Sequence, residues 1–204
     1  MTEAYPLGMP VSLRALAAAL VSVLLAGSPA LAAGNDTLWT LLRGGGQVVL
    51  LRHAATDMEQ RDQVGAPLSD CARQRNLNED GREDARLIGA VLRARAIPVG
   101  RVLSSGYCRC LETAQLAFGR AEAWTALQQA LTDKPVQEAR IGEIRAVAGE
   151  RPTDGNLVLV THQYPIRLLT GEKVAEGEML ILTPRGNGEF EIAGRIPPEG
   201  LSHP

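Results

Sequence analysis

The stretch GGGQVVLLRHAATD, residues 44–57, ends an apolar run on an arginine and a histidine. Residues 47–51 are a continuous run of mostly β-branched and leucine side chains, which predicts a buried central strand. A second run of this kind, NLVLVTH at residues 156–162, also ends on a histidine. His53 and His162 therefore hold equivalent positions after two predicted strands, in a chain that contains only 3 histidines.

The rest of the chain alternates predicted strands with predicted helices. Asn78 is placed to cap a helix that extends to about Arg95, with apolar side chains on one face. Residues 55–77 are polar and irregular, which predicts a long loop. The other predicted elements are a strand at 101–105, helices at 107–119, 123–131 and 164–171, and a hairpin at 178–196 turned at 185–188, while residues 133–156 carry no clear pattern.

This alternation predicts an α/β fold of three layers, in which a mostly parallel sheet has helices on both faces. In such sheets, ligands bind beyond the carboxyl ends of the strands. His53 and His162 lie at such ends, and Arg109 lies in the first turn of the helix after RVLSS. Each residue alone has an ordinary structural interpretation, as a hydrogen-bonded histidine or a solvated arginine. Their joint placement favours a functional site.

Composition indicates one globular domain, because 45% of the residues are hydrophobic and 22% are charged. The formal net charge of −2 argues against nucleic-acid partners, which require a basic face. The basic residues are arginines except for Lys134 and Lys173. We therefore expect any anion site to be built from arginine, whose planar fork suits phosphate.

The N-terminus has the pattern of a secretory signal. Arg14 precedes an apolar run, and Ala30 and Ala32 fit the small-residue cleavage rule. This predicts a signal peptide over residues 1–32 and a mature domain over residues 33–204. An uncleaved anchor is the alternative, but the run is short for a bilayer. We expect a periplasmic or secreted protein with no stable membrane span.

The predicted location determines the expected oxidation state of the cysteines. Cys71, Cys108 and Cys110 would mature in an oxidising compartment, where an odd number leaves at least one free thiol. We expect one bridge, from Cys71 to Cys108 or Cys110. Of these two, the hypothesis that we favour joins Cys71 to Cys108 and leaves Cys110 free, because this pairing ties the long loop to the helix that carries Arg109.

Four segments together resemble a known family. LRHA (51–54), LSSGYCRCLETA (103–114) and VTHQYPIRLLTG (160–171) resemble the signature segments of the histidine phosphatase superfamily, which shares the phosphoglycerate mutase-like fold. LSDCARQRNLNEDGREDARLIGAVL (68–92) resembles that family's first helix and its approach. The sequences of the segments at 68–92 and 160–171 are similar to those of a small exported branch of the family, which includes lipopolysaccharide core heptose phosphate phosphatases.

The resemblance implies a role for each candidate residue. His53 would attack phosphorus and form a phosphohistidine, which water then hydrolyses. Arg52 and Arg109 would clamp the phosphate oxygens, and His162 would hydrogen-bond to the same oxygens. The family needs no metal or other cofactor, and two histidines beside oxidised cysteines supply too few ligands for zinc. The implied partner is a small phosphorylated substrate.

Two departures from the family pattern concern its branches and its proton donor. Ala54 replaces the glycine of the Arg-His-Gly signature, which argues against the mutase branch. Gln163 stands where acid phosphatases carry an aspartate, and an amide donates no catalytic proton. Glu178, which opens the predicted hairpin, is the first candidate for the general acid, with a solvated turn residue as its ordinary interpretation. The alternatives are Glu138 and Glu143.

Three functions are consistent with these residues. The first is an exported phosphomonoesterase acting through phosphohistidine, on a phosphosugar or a lipopolysaccharide core phosphate. A phosphohistidine phosphatase or a mutase-like transferase is the second. The third is a non-catalytic phosphate-binding protein, which the missing aspartate supports.

Overall fold

The structure is a computed structural model that describes residues 1–2, 30–129 and 133–201. Most of the predicted signal peptide, at residues 3–29, lies outside the described residues. The first helix begins at Ala30, ahead of the expected cleavage point after Ala32. Within the described part of the chain, no helix has the length and apolar character needed to cross a membrane.

Helices and strands alternate along the chain, as the sequence predicts. Asn78 caps the second helix by accepting a hydrogen bond from the Gly81 backbone N–H at 2.8 Å. The fifth helix ends at Gly171, which takes a left-handed conformation at φ 82°. The helices are α1 (Ala30–Arg43), α2 (Glu79–Ala94), α3 (Cys108–Phe118), α4 (Lys134–Gly149) and α5 (Gln163–Thr170), and the strands are β1 (Val48–Arg52), β2 (Val99–Ser104), β3 (Glu122–Ala123), β4 (Asn156–Thr161), β5 (Met179–Gly186) and β6 (Glu189–Ile196).

The strands form one mixed sheet in the order β3-β2-β4-β1-β5-β6. Strands β3, β2, β4 and β1 are parallel, and β5 runs antiparallel to β1 and to β6. The pairs Arg52–Thr161 and Ser104–Val160 align the ends of β1, β2 and β4. The residues that follow these three strands therefore lie side by side at one edge of the sheet.

Alternating strand residues supply two separate cores, one on each face of the sheet. Val49 and Leu51 pack with apolar side chains from α1, α2 and α3. Val48 and Leu50 face the other way, toward α4 and α5. Because successive side chains of a strand point to opposite faces, these two cores give the three-layer α/β arrangement that the sequence predicts.

Two regions of the chain differ from the sequence prediction or complete it. The predicted helix at 123–131 is wrong: residues 122–123 pair with Leu103 and Ser104 as a short edge strand, and only Thr125–Leu127 form a 3-10 turn before residues 130–132, which lie outside the description. The backbone hydrogen bonds to β2 outweigh the local helical pattern. The helix α4 occupies part of the unassigned stretch, and Asp133 caps it.

The long loop before α2 is held at several points. Thr56 and Leu77 form an isolated antiparallel bridge at its base, and a 3-10 turn spans Cys71–Arg73. The favoured disulfide between Cys71 and Cys108 is confirmed, with Cα atoms 5.7 Å apart, and Cys110 is free and buried. This bond is consistent with an oxidising compartment. It fixes the loop to the first residue of α3.

Candidate active site

The predicted site residues converge at the carboxyl end of the parallel strands. Arg52 ends β1 and His53 follows it, while His162 follows β4 and caps α5. Arg109 is the second residue of α3, which begins shortly after β2. The rings of His53 and His162 lie 5.5 Å apart between centroids. The structure thus brings these four side chains into one small, buried region.

His53 is held in one tautomer by the backbone. Its Nδ1 lies 2.9 Å from the carbonyl oxygen of Ala54, which can only accept a hydrogen bond. The proton therefore sits on Nδ1, and Nε2 keeps its lone pair. Burial lowers the pKa of His53 to about 3, and the positive charges of Arg109, Arg52 and Arg75 act in the same direction. The ring is consequently neutral at physiological pH, and its Nε2 is able to act as a nucleophile.

His162 is also buried and neutral. Its Nε2 lies 2.8 Å from Ser105 Oγ, and its Nδ1 lies 3.4 Å from Arg109 Nη2. An arginine only donates, so Nδ1 accepts and Nε2 carries the proton toward Ser105. Burial, followed by the charge of Arg109, lowers the pKa of His162 well below its ordinary value. The ring of Tyr107 packs edge-on against His162 at 4.9 Å between centroids.

Arg109 is almost fully buried and is hydrogen-bonded to residues of the long loop. Its Nη1 and Nη2 donate to the two carboxylate oxygens of Asp62 at 3.0 and 3.2 Å. Nη1 also donates to the Arg75 carbonyl oxygen at 3.2 Å, and the guanidinium stacks 4.6 Å from the Tyr107 ring centre. In the described part of the chain, Nε has no hydrogen-bond partner although it is buried. A buried donor without a partner is costly, so Nε is free to bind an anion.

Arg52 is held in the same manner by another segment. Its Nη1 donates to the Val174 carbonyl oxygen at 3.0 Å, and its Nη2 donates to Glu176 at 3.1 Å. Glu176 also accepts from the Thr56 hydroxyl and backbone N–H. Burial lowers the pKa of Arg52 from its ordinary value. Its Nε is likewise buried with no partner among the described residues.

The arrangement can hold a tetrahedral anion beside a nucleophile. Among the described residues, the buried Nε–H groups of Arg52 and Arg109 have no partner, while Nη atoms of both side chains bind protein atoms. The neutral Nε2 of His53 lies in the same region. Preorganised cations next to a nucleophile are what phosphoryl transfer requires. In contrast, no group of three side chains that could hold a metal ion occurs among the residues described.

The candidate acids lie in different surroundings. The Glu178 carboxylate is buried, accepts from the Ala175 backbone N–H at 2.6 Å and lies 3.3 Å from Arg195 Nη1. Glu138 and Glu143 are exposed on α4, and Glu138 lies 3.9 Å from Lys134 Nζ. The structure therefore brings neither α4 carboxylate into the buried region around the histidines.

Gln163, which stands at the aspartate position of acid phosphatases, has a structural role. It accepts from the Val174 backbone N–H at 2.8 Å and donates to the Glu172 carbonyl oxygen at 3.2 Å. Its amide therefore anchors the segment that leads to Glu176, the partner of Arg52.

Four further site residues were missed by sequence reasoning. Asp62 and Arg75 come from the long loop, Glu176 precedes β5, and Ser105 follows β2. Arg75 and Ser105 lie inside segments quoted for the family resemblance, so those segments carried a signal. Asp62 and Glu176 carried none, because their partners Arg109 and Arg52 are 47 and 124 residues away in the sequence.

Part of the chain is similar to a known protein family. Residues 48–146 match the family model described as the histidine phosphatase superfamily, branch 1. No curated protein matches the chain.

Solved structures share the fold at low identity. The protein histidine phosphatase SixA complexed with tungstate has a TM-score of 0.53 and 18% identity, and the match covers 76% of this chain and 99% of that one. A functionally characterised open reading frame of Mycobacterium tuberculosis has a TM-score of 0.53 and 19% identity, covering 72% and 95%. A mycobacterial glucosyl-3-phosphoglycerate phosphatase with vanadate has a TM-score of 0.52 and 17% identity, covering 72% and 97%.

At these identities, the solved structures bear on the fold alone. They confirm the phosphoglycerate mutase-like fold that the resemblance implies. The family match over residues 48–146 covers just under half of the chain and shows that this segment is similar to the histidine phosphatase superfamily.

Proposed function

We propose that this protein is an exported phosphomonoesterase that acts through a phosphohistidine on His53. The observation that carries the proposal is a neutral Nε2 on His53 in the same region as two buried guanidinium groups, whose Nε–H donors have no partner among the described residues. A neutral imidazole attacks, and the donors stabilise the charge that develops on the phosphate oxygens.

The proposed reaction has two steps. First, His53 Nε2 bonds to phosphorus while the ester P–O bond breaks, and the leaving oxygen takes up a proton. Water then forms a new P–O bond while the P–N bond breaks, which releases phosphate. Arg52 and Arg109 hold the same oxygens in both steps. No metal takes part in this scheme.

His162 is proposed to act on the phosphate in two ways. Its Nδ1 accepts from Arg109 Nη2, so it orients the guanidinium that faces the anion. The family resemblance also implies a direct bond from His162 to a phosphate oxygen. Ser105 fixes the ring through Nε2, and the direct bond would require this ring to exchange partners.

Glu178 is our proposed proton donor for leaving groups that need one. Its carboxylate is buried, and the neighbouring Gly177 N–H donates to the carbonyl oxygens of Arg52 and His53. Glu178 therefore directly follows the residue that contacts the backbone of His53, which supports the proposal.

Two substrate classes are considered, which differ in the leaving group. We propose a phosphosugar or a lipopolysaccharide core phosphate as the substrate. A phosphohistidine phosphatase is the second candidate, and a specific observation favours it: Asp62, Glu176 and Glu178 are all ion-paired to arginines. The first candidate therefore requires Glu178 to leave Arg195 and take up a proton. Ion-paired carboxylates are poor proton donors, and a phosphoramidate or aryl phosphate leaves without strong acid assistance.

Access to the nucleophile depends on the long loop. His53 and His162 are each 2% exposed, and Arg109 is 1% exposed. The Asp62 carboxylate lies on the Arg109 guanidinium, where we expect the substrate to approach. We propose that the loop shifts to admit a phosphate ester while Asp62 stays paired with the Nη atoms of Arg109, which leaves Arg109 Nε for the anion.

The enzymatic proposal is tested with p-nitrophenyl phosphate. We expect hydrolysis that is insensitive to metal chelators. A purified, folded protein that binds phosphate but turns over neither this ester nor a phosphohistidine peptide would instead be a binding protein. A screen over phosphosugars, phosphohistidine peptides and lipopolysaccharide fragments then ranks substrates by kcat/KM.

Export is tested separately. We propose that the mature chain begins at Ala33, because Ala30 and Ala32 fit the cleavage rule. N-terminal sequencing of protein from a cell-envelope fraction should start at Ala33. Protein that keeps Met1 and is found in the cytoplasm would refute export without affecting the phosphatase proposal.

A further inference from the structure

Three arginines but only two of their carboxylate partners lie around the two histidines, and Arg75 is the arginine whose positive charge is not paired within the described residues. Arg109 is neutralised by Asp62 at 3.0 Å, and Arg52 is neutralised by Glu176 at 3.1 Å. For Arg75, no carboxylate lies within 4.0 Å of its guanidinium among the described residues. That guanidinium instead contacts Met58 Sδ at 3.3 Å through Nη1, and a thioether is a weak acceptor.

The backbone of Arg75 ties it to the site. Its N–H donates to Asp62 Oδ1 at 2.9 Å, and its carbonyl oxygen accepts from Arg109 Nη1 at 3.2 Å. Arg75 thus belongs to the same hydrogen-bonded cluster as the buried arginine. Its positive charge also acts on both histidines, since it contributes to their lowered pKa values. The side chain is half-buried, and its one hydrogen-bond contact within residues 30–129 and 133–201 is with a sulfur atom.

We propose that Arg75 is a third phosphate-binding residue, whose guanidinium leaves Met58 and binds the phosphoryl group of the substrate. This inference rests on the proposed function and extends it: the site selects a dianionic phosphoryl group. A phosphate monoester carries close to two negative charges at neutral pH. Two neutralised arginine–carboxylate pairs and two neutral histidines supply little net charge against it, and Arg75 supplies one positive charge.

The chain contains a matched control two residues away. Arg73 lies in the same loop, but its side chain is 57% exposed and pairs with Asp70 at 3.3 Å. Substitution of Arg73 removes the same charge from the same segment without touching the site. Substitution of either side chain leaves the backbone bonds of Arg75 in place.

The test measures binding of inorganic phosphate by calorimetry, and orthovanadate inhibition, in wild type, Arg75→Met, Arg75→Lys and Arg73→Met. We expect Arg75→Met to weaken phosphate binding about tenfold to a hundredfold, as for a charge-assisted hydrogen bond. Arg75→Lys should lose less because it keeps the charge, and Arg73→Met should stay within about twofold of wild type.

The outcomes separate this inference from the proposed function. If wild type binds phosphate and Arg75→Met binds it equally well, or if Arg73→Met is as defective as Arg75→Met, Arg75 is not a ligand. If the Arg75→Met chain fails to fold, the phosphate Kd of Arg75→Lys is compared with that of Arg73→Lys. A higher Kd in Arg75→Lys supports the inference, and equal values contradict it. A wild-type protein that neither binds phosphate nor hydrolyses a phosphate ester removes the proposed function itself.

Discussion

The two walls of the candidate active site are held by different means. The strand-end wall consists of Arg52, His53, Ser105, Arg109 and His162, which end or follow aligned parallel strands or lie in the first turn of a helix. The loop wall consists of residues 57–76, which are irregular apart from one short 3-10 turn. The strand-end wall inherits its geometry from the sheet and its two cores. The loop wall depends on a disulfide, a bridge at its base and a few hydrogen bonds.

This difference divides the chemistry between them. In the proposed mechanism, nucleophilic attack requires a ring fixed in one tautomer, and the strand-end wall provides it through the Ala54 carbonyl oxygen. The same proposal gives the loop wall the binding of the phosphoryl group, through Arg75, and the pairing of Asp62 with Arg109. We expect substitutions in the strand-end wall to affect turnover, and those in the loop wall to affect binding and stability.

The largest expected effect is on turnover, from the nucleophile. His53→Ala should reduce kcat with p-nitrophenyl phosphate by about a thousandfold or more, because losing a nucleophile removes the covalent route. Phosphate binding should persist, since Arg52 and Arg109 remain. Steady-state kinetics and calorimetry measure the two quantities. His203→Ala, at a histidine outside the signature segments, is the matched control. Near-normal activity in His53→Ala would contradict the assignment of turnover to the strand-end wall.

Removal of the disulfide tests the loop wall. Cys71→Ser with Cys108→Ser opens a bond that spans 37 residues. The chain-entropy model predicts a loss of about 3–4 kcal/mol in the free energy of unfolding. Urea denaturation measures this loss, and kcat/KM should fall as Asp62 and Arg75 lose their anchor. As a control, Cys110→Ala is introduced into both wild type and the double variant, which prevents thiol exchange. Unchanged stability and activity in the double variant would mean that the loop keeps its conformation without the disulfide.

Substitution of Glu178 tests the proposed proton donor. Glu178→Gln should slow hydrolysis of an alkyl phosphate by about a hundredfold, a typical contribution of acid catalysis. Hydrolysis of p-nitrophenyl phosphate should change far less, because its leaving group needs no proton. The ratio of the two kcat values is the measurement. Equal losses on both esters would assign Glu178 a structural role with Arg195.

The smallest effect concerns acid stability. The pKa of His53 is about 3 in the folded protein against 6.5 for an unperturbed histidine. Between these values the unfolded state binds a proton that the folded state does not, so stability falls as the pH falls below 6.5. The slope from this residue is about 1.4 kcal/mol per pH unit.

This pH effect is measured by urea unfolding of wild type and His53→Gln at pH 7 and pH 5. The variant should lose less stability between the two pH values, while His162 contributes in the same direction in both proteins. Parallel curves for the two proteins would mean that His53 titrates normally and is not buried as described.

Most of the strand-end wall could be predicted from the sequence, with Ser105 as the exception, whereas much of the loop wall could not. Apolar runs before His53 and His162 fix their positions because hydrophobic periodicity is local information. Asp62 meets Arg109 across 47 residues, and no local pattern encodes such a contact. The predicted helix at 123–131 failed for a related reason, since pairing of Glu122 and Ala123 with β2 overrode local propensity.

The central claim is that His53 forms a covalent phosphoenzyme, and rapid quenching with a labelled substrate tests it directly. Wild type should yield a phosphoenzyme that is labile in acid and stable in base, as expected for phosphohistidine, and peptide mapping should place the label on His53. His53→Ala should yield none. An acid-stable phosphoenzyme of the serine type, or label retained in His53→Ala, would contradict the mechanism.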